Sequence, residues 1–312
     1  MSRLVVSIGE ILWDLLPDGP QLGGAPFNFA YRVNTLGDRS IIVSRLGRDD
    51  LGKKAYDKAG SLGMNTDYLQ WDENSPTGTV KVTLDDANNP EFSIVFNVAY
   101  DNIAVTEELL QLIPTADCIC FGTLIQRTET GRGTVQTLLD ASTTPIKLLD
   151  INLRRDCYNE EIITESLEEA HILKLNESEA QYLAELFDFA SASSLPSIVN
   201  ALIQKFSLNH CLVTLGEYGA FAASSNAEKA YVPGFRTDVI DTCGSGDAFT
   251  AAFVYRLLRG APLKECCELG NALGAMVAAQ PGATIPISPA EVENFVRGDR
   301  ERIVDKNLES FA

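Results

Sequence analysis

Apolar residues in this chain come in short continuous runs, separated by longer stretches where they recur every three or four positions. Leu4 to Gly9 reads LVVSIG, and similar runs stand at Ser40 to Ser44, Ala116 to Phe121, Ile146 to Ile151, Ala170 to Leu175 and His210 to Leu215. Runs of this length, rich in β-branched residues and without alternation, predict strands buried on both faces of a parallel sheet. Helical periods lie between them, at Ala25 to Leu36, Leu51 to Leu62, Gly131 to Ser142, Ser178 to Leu186 and Leu195 to Phe206. A further apolar helix is expected over Leu263 to Ala279, and a surface helix with a charged end over Glu291 to Ala312. Strands alternating with helices predict βαβ units, hence an α/β fold whose mainly parallel central sheet is covered on both sides.

Two places break the rhythm. Ile11 to Leu22 is acidic and carries proline, and Thr77 to Asn97 reads as two alternating strands, GTVKVTL and EFSIVFN, around DDANNP. Alternation suits a small antiparallel sheet exposed on one side. The expectation is one domain over residues 1–312, with a lid built from segments 11–22 and 75–99 that keeps water from a reactive group.

Composition narrows the partners. Lys and Arg number 25 against 43 Asp and Glu, a formal net charge of −18. Nucleic acid and anionic membrane surfaces are bound through an excess of Lys and Arg, so neither is expected as a partner. An anionic ligand would have to be held locally, by backbone amides and a few placed cations. Seven cysteines form no CxxC pair and point to a reducing compartment. The first residues, MSRLVVSIGEILWDLLP, lack the pattern of a secretory signal, and no window is apolar enough to span a bilayer. The expected location is the cytoplasm.

The chemistry concentrates in DTCGSGDAFTAAFVYRLLRG, Asp241 to Gly260. Gly244, Ser245 and Gly246 are small enough to let backbone N–H groups crowd round an anion, and the helix opening at about Asp247 adds its unpaired N–H groups and the positive end of its dipole. Asp247 reads either as a base for a hydroxyl attacking a bound phosphoryl group or as a helix cap after a glycine turn. A second glycine pair, Gly23 and Gly24, precedes a helix whose first turn carries Asn28, an amide able to donate to and accept from hydroxyls.

GGAPFNFAYRVNTLG and DTCGSGDAF, roughly 220 residues apart, together resemble the two signature segments of the PfkB (ribokinase-like) family of sugar and nucleoside kinases. The resemblance covers nearly the whole chain. It implies a three-layer αβα fold with a β-sheet lid and ATP-dependent phosphorylation of a hydroxymethyl group. Asp247 is then the catalytic base, and the amides of Gly244, Ser245 and Gly246 form the anion hole. The family usually has Ala at the place of Ser245. LNESE resembles the family's NxxE motif, which implies that Asn176 and Glu179 help hold Mg²⁺ through water near the phosphates of ATP. DINLR resembles the strand end of the fructokinase and 2-keto-3-deoxygluconate kinase branches, where the arginine, here Arg154, faces phosphates or substrate. Thr214, Gly216, Gly219 and Asn271 fall where the family lines its nucleotide pocket. Asp241 matches a position that often helps bind a monovalent cation such as K⁺. Lid strands pair between subunits in some members, which leaves a homodimer open.

For the substrate, GEILWDLLP followed by LGGAPFN looks most like fructokinases, where an acid at the position of Asp14 binds sugar hydroxyls with Gly23, Gly24 and Asn28. Between Trp71 and Ile125 the one cation is Lys81, which argues for an uncharged sugar over a sugar phosphate. The implied reaction is transfer of the γ-phosphoryl of MgATP to a primary hydroxyl, with fructose first among the sugars. The nearest rival is 2-keto-3-deoxygluconate, whose carboxylate calls for an extra cation in the sugar pocket. A ribokinase or nucleoside kinase, and a sugar-binding pseudokinase without turnover, stand further off. No GxGxxG follows the first strand, against a dinucleotide-dependent oxidoreductase.

Overall fold

The computed structural model describes residues 2–16, 19–84, 90–144, 146–189 and 192–312. The chain opens with β1 (Leu4–Ile8) and then leaves the main sheet for β2 (Leu12–Leu16) and β3 (Gly19–Gly23). Helix α1 (Ala25–Thr35) leads back to β4 (Arg39–Gly47), and α2 (Asp50–Ser61) to β5 (Leu69–Asp72). A second excursion, β6 (Gly78–Leu84) and β7 (Pro90–Ile94), is followed by α3 (Glu107–Leu112), β8 (Cys118–Phe121), α4 (Glu129–Asp140) and β9 (Lys147–Asp150). The second half runs α5 (Glu160–Glu169), β10 (Ile172–Asn176), α6 (Glu177–Leu186), α7 (Leu195–Phe206), β11 (His210–Thr214), β12 (Ala220–Ser224) and β13 (Lys229–Val232). Three helices close it: α8 (Ser245–Leu257), α9 (Leu263–Ala278) and α10 (Pro289–Arg297).

The large sheet has the order β13-β12-β11-β10-β9-β8-β1-β4-β5. Its strands run parallel from β11 to β5, and β12 and β13 add an antiparallel edge. The continuous apolar runs are buried on both faces, as expected. In β1, Val6 and Ile8 join the cluster packed by α4, α5 and α7, while Val5 faces the cluster of α1, α8 and α9. Helices therefore cover both sides, and the result is a three-layer αβα domain. The two excursions form a separate four-stranded sheet, β3-β2-β6-β7, in which β2 runs parallel to β6 and the outer pairs are antiparallel. The DDANNP turn lies, up to Asn89, outside the described residues.

Some elements depart from the sequence reading. The tail is not one helix: α10 stops at Arg297, and Arg302–Ile303 then pairs with Gly234–Phe235 in a short ladder. Asp299 to Arg302 is charged, and Arg302 finds its partner in Glu268 on α9, so contacts with the body override helix propensity there. Strands β5, β12 and β13 and helix α3, each six residues or fewer, are absent from the sequence reading; α5 is absent too, although Ile162, Ile163 and Leu167 recur at helical spacing behind the Asn159 cap.

The C-terminal ends of β1, β9, β10 and β11 open on one side of the sheet. Gly9, Glu10, Asp150, Asn176 and Thr214 stand there, in the crevice where open α/β sheets bind their ligands.

Candidate active site

Helix α8 is preceded by its cap residue Gly244, whose backbone is left-handed at φ +76°. A Cβ at that point would stand 2.4 Å from the Ala283 side chain, so the turn requires glycine on both counts. The turn aims the first amides of α8 into the crevice. The Ser245 N–H differs from expectation: it donates to Thr242 O at 3.2 Å, closing the turn itself. Among the described residues no acceptor takes the Gly244 or Gly246 N–H. An anion would be met there by those two amides and the helix dipole.

Asp247 lies in the first turn of α8, and its Oδ2 accepts the Asn28 side-chain N–H at 2.9 Å. This bond joins residues 219 positions apart and brings the two glycine-rich segments into one site. Asn28 Oδ1 is buried and has no hydrogen-bond partner among the described residues, so an acceptor stands ready beside the carboxylate for a hydroxyl hydrogen. Burial pushes the Asp247 carboxyl up to about 6; Asp150 adds to the rise, while Lys174, the Asn28 bond and Arg154 hold it back. A carboxylate ionised at neutral pH yet basic enough to take a proton suits general-base work.

Two of these neighbours escaped the sequence reading. Asp150 and Lys174 sit opposite each other on β9 and β10, and Lys174 Nζ meets Asp150 Oδ1 at 3.0 Å. Burial alone would lower the Lys174 pKa, but Asp150, Asp247 and Glu179 outweigh it and raise it. The ammonium stands 3.4 Å from where a Cβ on Gly246 would be, beneath the anion hole. The signal was a lysine inside the otherwise apolar ILKLN. Glu10 is the third: it is buried, and its Oε1 accepts the Ala25 N–H at 3.1 Å. Burial pushes its carboxyl up to about 7, against its backbone hydrogen bonds and the pull of Arg154.

On the Asn28 side of Asp247, Gly24 caps α1 at φ +111°, and its missing Cβ would lie 2.4 Å from Glu10 O. Asp14 on β2 points across the small sheet, with Oδ2 only 2.9 Å from where a Gly23 Cβ would be. Burial raises its pKa, Arg154 opposing. Arg154 is exposed, and its charge holds down the pKa of Glu10, Asp14 and Asp247 alike, so it lies within electrostatic reach of all three.

The other side is a cavity of about 230 Å³ lined by Thr214, Gly216, Gly219 and Asn271, and reaching Ser245 and Gly246. It runs to the first turn of α8, so a ligand lying in it would end at the anion hole. Asn271 serves as wall, its amide donating to Val232 O at 2.8 Å. Asn176 does not line this cavity. It caps α6, accepting the Glu179 N–H at 2.9 Å while Glu179 accepts the Asn176 N–H at 2.7 Å. The second Glu179 oxygen accepts the Leu153 N–H at 2.8 Å, which fixes the carboxylate next to Arg154's segment. Each Glu179 oxygen keeps a lone pair for a metal-bound water, and among the described residues no cluster of three acidic, His or Cys side chains could hold a metal directly. That donor set fits a hydrated Mg²⁺ whose other ligands are phosphates. Asp241 uses both oxygens as acceptors, from the Cys243 N–H at 2.9 Å and the Gly282 N–H at 3.0 Å.

A sequence profile described as "pfkB family carbohydrate kinase" matches residues 19–291. The fructokinase of Solanum tuberosum is 30% identical, over 94% of this chain and 94% of that protein. Among solved structures, a fructokinase with bound ATP from Xylella fastidiosa shares the fold at a TM-score of 0.81 and 21% identity, covering 95% of this chain and 99% of that one. A sugar kinase of Pyrococcus horikoshii in complex with ATP is similar at 0.76 and 26% identity, over 94% and 99%. Among the described residues no helix is long and apolar enough to cross a membrane.

Proposed function

Since this chain belongs to the pfkB family of carbohydrate kinases, and so is a phosphotransferase acting on a sugar hydroxyl, we propose that it transfers the γ-phosphoryl of MgATP to a primary hydroxyl of a free sugar, with fructose as the favoured acceptor. The observation that carries this reading is the Asn28–Asp247 contact at the mouth of α8. It would set a base between the cavity at Thr214 and Asn271 and the groups around Asp14, Gly23 and Gly24.

ATP would lie in the cavity at Thr214, Gly216, Gly219 and Asn271, its γ-phosphoryl at the Gly244 and Gly246 amides. Asp14, the Gly23–Gly24 turn and Asn28 would orient the sugar. The reacting hydroxyl gives its proton to Asp247 as its oxygen attacks phosphorus in line, and ADP leaves. Magnesium, held through water by Glu179, would neutralise phosphate charge. The small sheet would act as the lid that excludes water, and pairing between two copies would use its edges, β3 or β7. The monovalent-cation role of Asp241 rests on a carboxylate whose oxygens each already accept a backbone N–H.

A second reading has its own support. Arg154 is close enough for its charge to act on Asp14, so a sugar acid such as 2-keto-3-deoxygluconate would find there the cation it needs. A coupled ADP-release assay across fructose, 2-keto-3-deoxygluconate, ribose and adenosine, run in K⁺ and in Na⁺, separates the readings. Fructose should give the highest kcat/KM. Preference for the sugar acid would overturn the first reading, and no ADP release with any acceptor would return the protein to a non-catalytic binder.

A further inference from the structure

Helix α1 carries a second side chain that bears on the anion hole. Arg32 lies one turn beyond Asn28 and is 0% exposed. Its Nη1 donates to Ile285 O at 2.8 Å and its Nη2 to Ala283 O at 2.5 Å. These partners are carbonyls, not a carboxylate; among the described residues Nε has no hydrogen-bond partner, and the guanidinium carbon lies 5.2 Å from the centroid of the Tyr31 ring. Burial pulls the guanidinium pKa down only to about 10, so the group stays charged at neutral pH. A buried charge without a counter-charge costs several kcal/mol, and an apolar residue of equal volume would fill the space more cheaply. What the charge holds is therefore informative.

It holds the loop between α9 and α10, and that loop backs the anion hole. Ala283 packs so closely on Gly244 that a Cβ there would be 2.4 Å away. Gly282 N–H donates to Asp241 Oδ2, while Asp241 Oδ1 accepts the Cys243 N–H inside the turn. The loop thus touches the turn at two points and is secured from behind by Arg32.

We propose that Arg32 is a positioning residue for phosphoryl transfer: its guanidinium acts as a tethered internal cation for the carbonyls of Ala283 and Ile285, and so fixes the 280–286 loop against the Gly244–Gly246 turn. The inference rests on the kinase reading of this site and is indifferent to which sugar is used. With Asn28 and Arg32 at i and i+4, one face of α1 holds both the base and the back of the hole. Loss of the guanidinium leaves one buried and one half-buried carbonyl without that donor and frees the loop. The effect falls on kcat, because the turn's amides matter most where charge develops on the transferring group. The sugar side, with Asp14 and Gly23–Gly24, is not touched.

The test compares wild type with Arg32→Met and Arg32→Ala by amide hydrogen exchange and by kinetics with whichever acceptor wild type turns over fastest. In both variants exchange over residues 241–246 and 282–286 should speed up while β1 and α4 are unchanged, kcat should fall by about tenfold or more, and sugar KM should stay within about twofold. Added guanidinium should raise kcat of Arg32→Ala, which leaves room for it, and not of Arg32→Met. Unchanged exchange in those segments, or a loss in Arg32→Ala that guanidinium does not repair, overturns the proposal. Should neither apolar variant fold, Arg32→Lys decides: reduced kcat with unaltered sugar KM supports it, and wild-type kcat sinks it. If wild type phosphorylates no acceptor, the kinase reading fails, and the exchange data still judge the role of Arg32.

Discussion

Replacing Asp247 with Asn should make a more stable and nearly inactive protein. The change is close to isosteric. Asn28 Nδ2 keeps an acceptor, and its unpartnered Oδ1 gains a donor in the new amide. In wild type the carboxyl is pushed from its ordinary 3.8 to about 6, chiefly by burial. A folded-state pKa above the unfolded one means that the folded chain holds the proton more tightly, so ionising the group costs stability. At ~1.4 kcal/mol per pH unit this cost is about 3 kcal/mol above pH 6, an upper figure because the carboxylate still reaches the crevice. Relief of part of it, about 1–3 kcal/mol, should raise Tm by a few degrees at pH 7.5. The gain should shrink as pH falls through 6 and be gone near pH 4, where wild type is protonated too. Removing a general base should cut kcat by about 10²–10⁴. Thermal unfolding of both proteins from pH 4 to 8, beside a coupled ADP-release assay, measures all of this. A variant that turns over within about tenfold of wild type refutes the base assignment. A variant less stable at pH 7.5, or a gain that does not depend on pH, refutes the electrostatic argument even if activity is lost.

Gly244→Ala should lose both stability and activity: a left-handed residue with a Cβ costs about 1 kcal/mol before the clash with Ala283 is counted, and urea unfolding with kcat measures the two losses. Lys174→Met leaves Asp150 buried without its partner, so a loss of about 3–5 kcal/mol is expected in urea melts. In the protein that remains folded, the acidic limb of the kcat/KM profile should move to higher pH, because a cation that favours ionised Asp247 has gone. A limb that stays in place would show that Lys174 does not act on the base.

Much of the site was readable because its groups are local motifs. The glycine turn that opens α8 needs Gly244 for a left-handed backbone and carries its acid three residues later, and both properties are written in GSGD. The strand ends were readable because strands buried on both faces are apolar throughout. The charged core of the site was harder to see. Lys174 and Asp150 lie 24 positions apart, and only strand pairing sets them face to face. NESE was legible as a motif, but its two polar residues spend their local hydrogen bonds on each other in a helix cap.

By itself the sequence determined the αβα class, the excursions that form the small sheet and the two glycine-rich segments, because each depends on periodicity or on backbone freedom within a few residues. Tertiary structure alone decided that Asn28 bonds Asp247 and that Arg32 holds the loop behind Gly244. Those are contacts between segments up to 253 positions apart. Their chemistry depends on burial and on hydrogen bonds of 2.5 to 2.9 Å, which no pattern along the chain encodes.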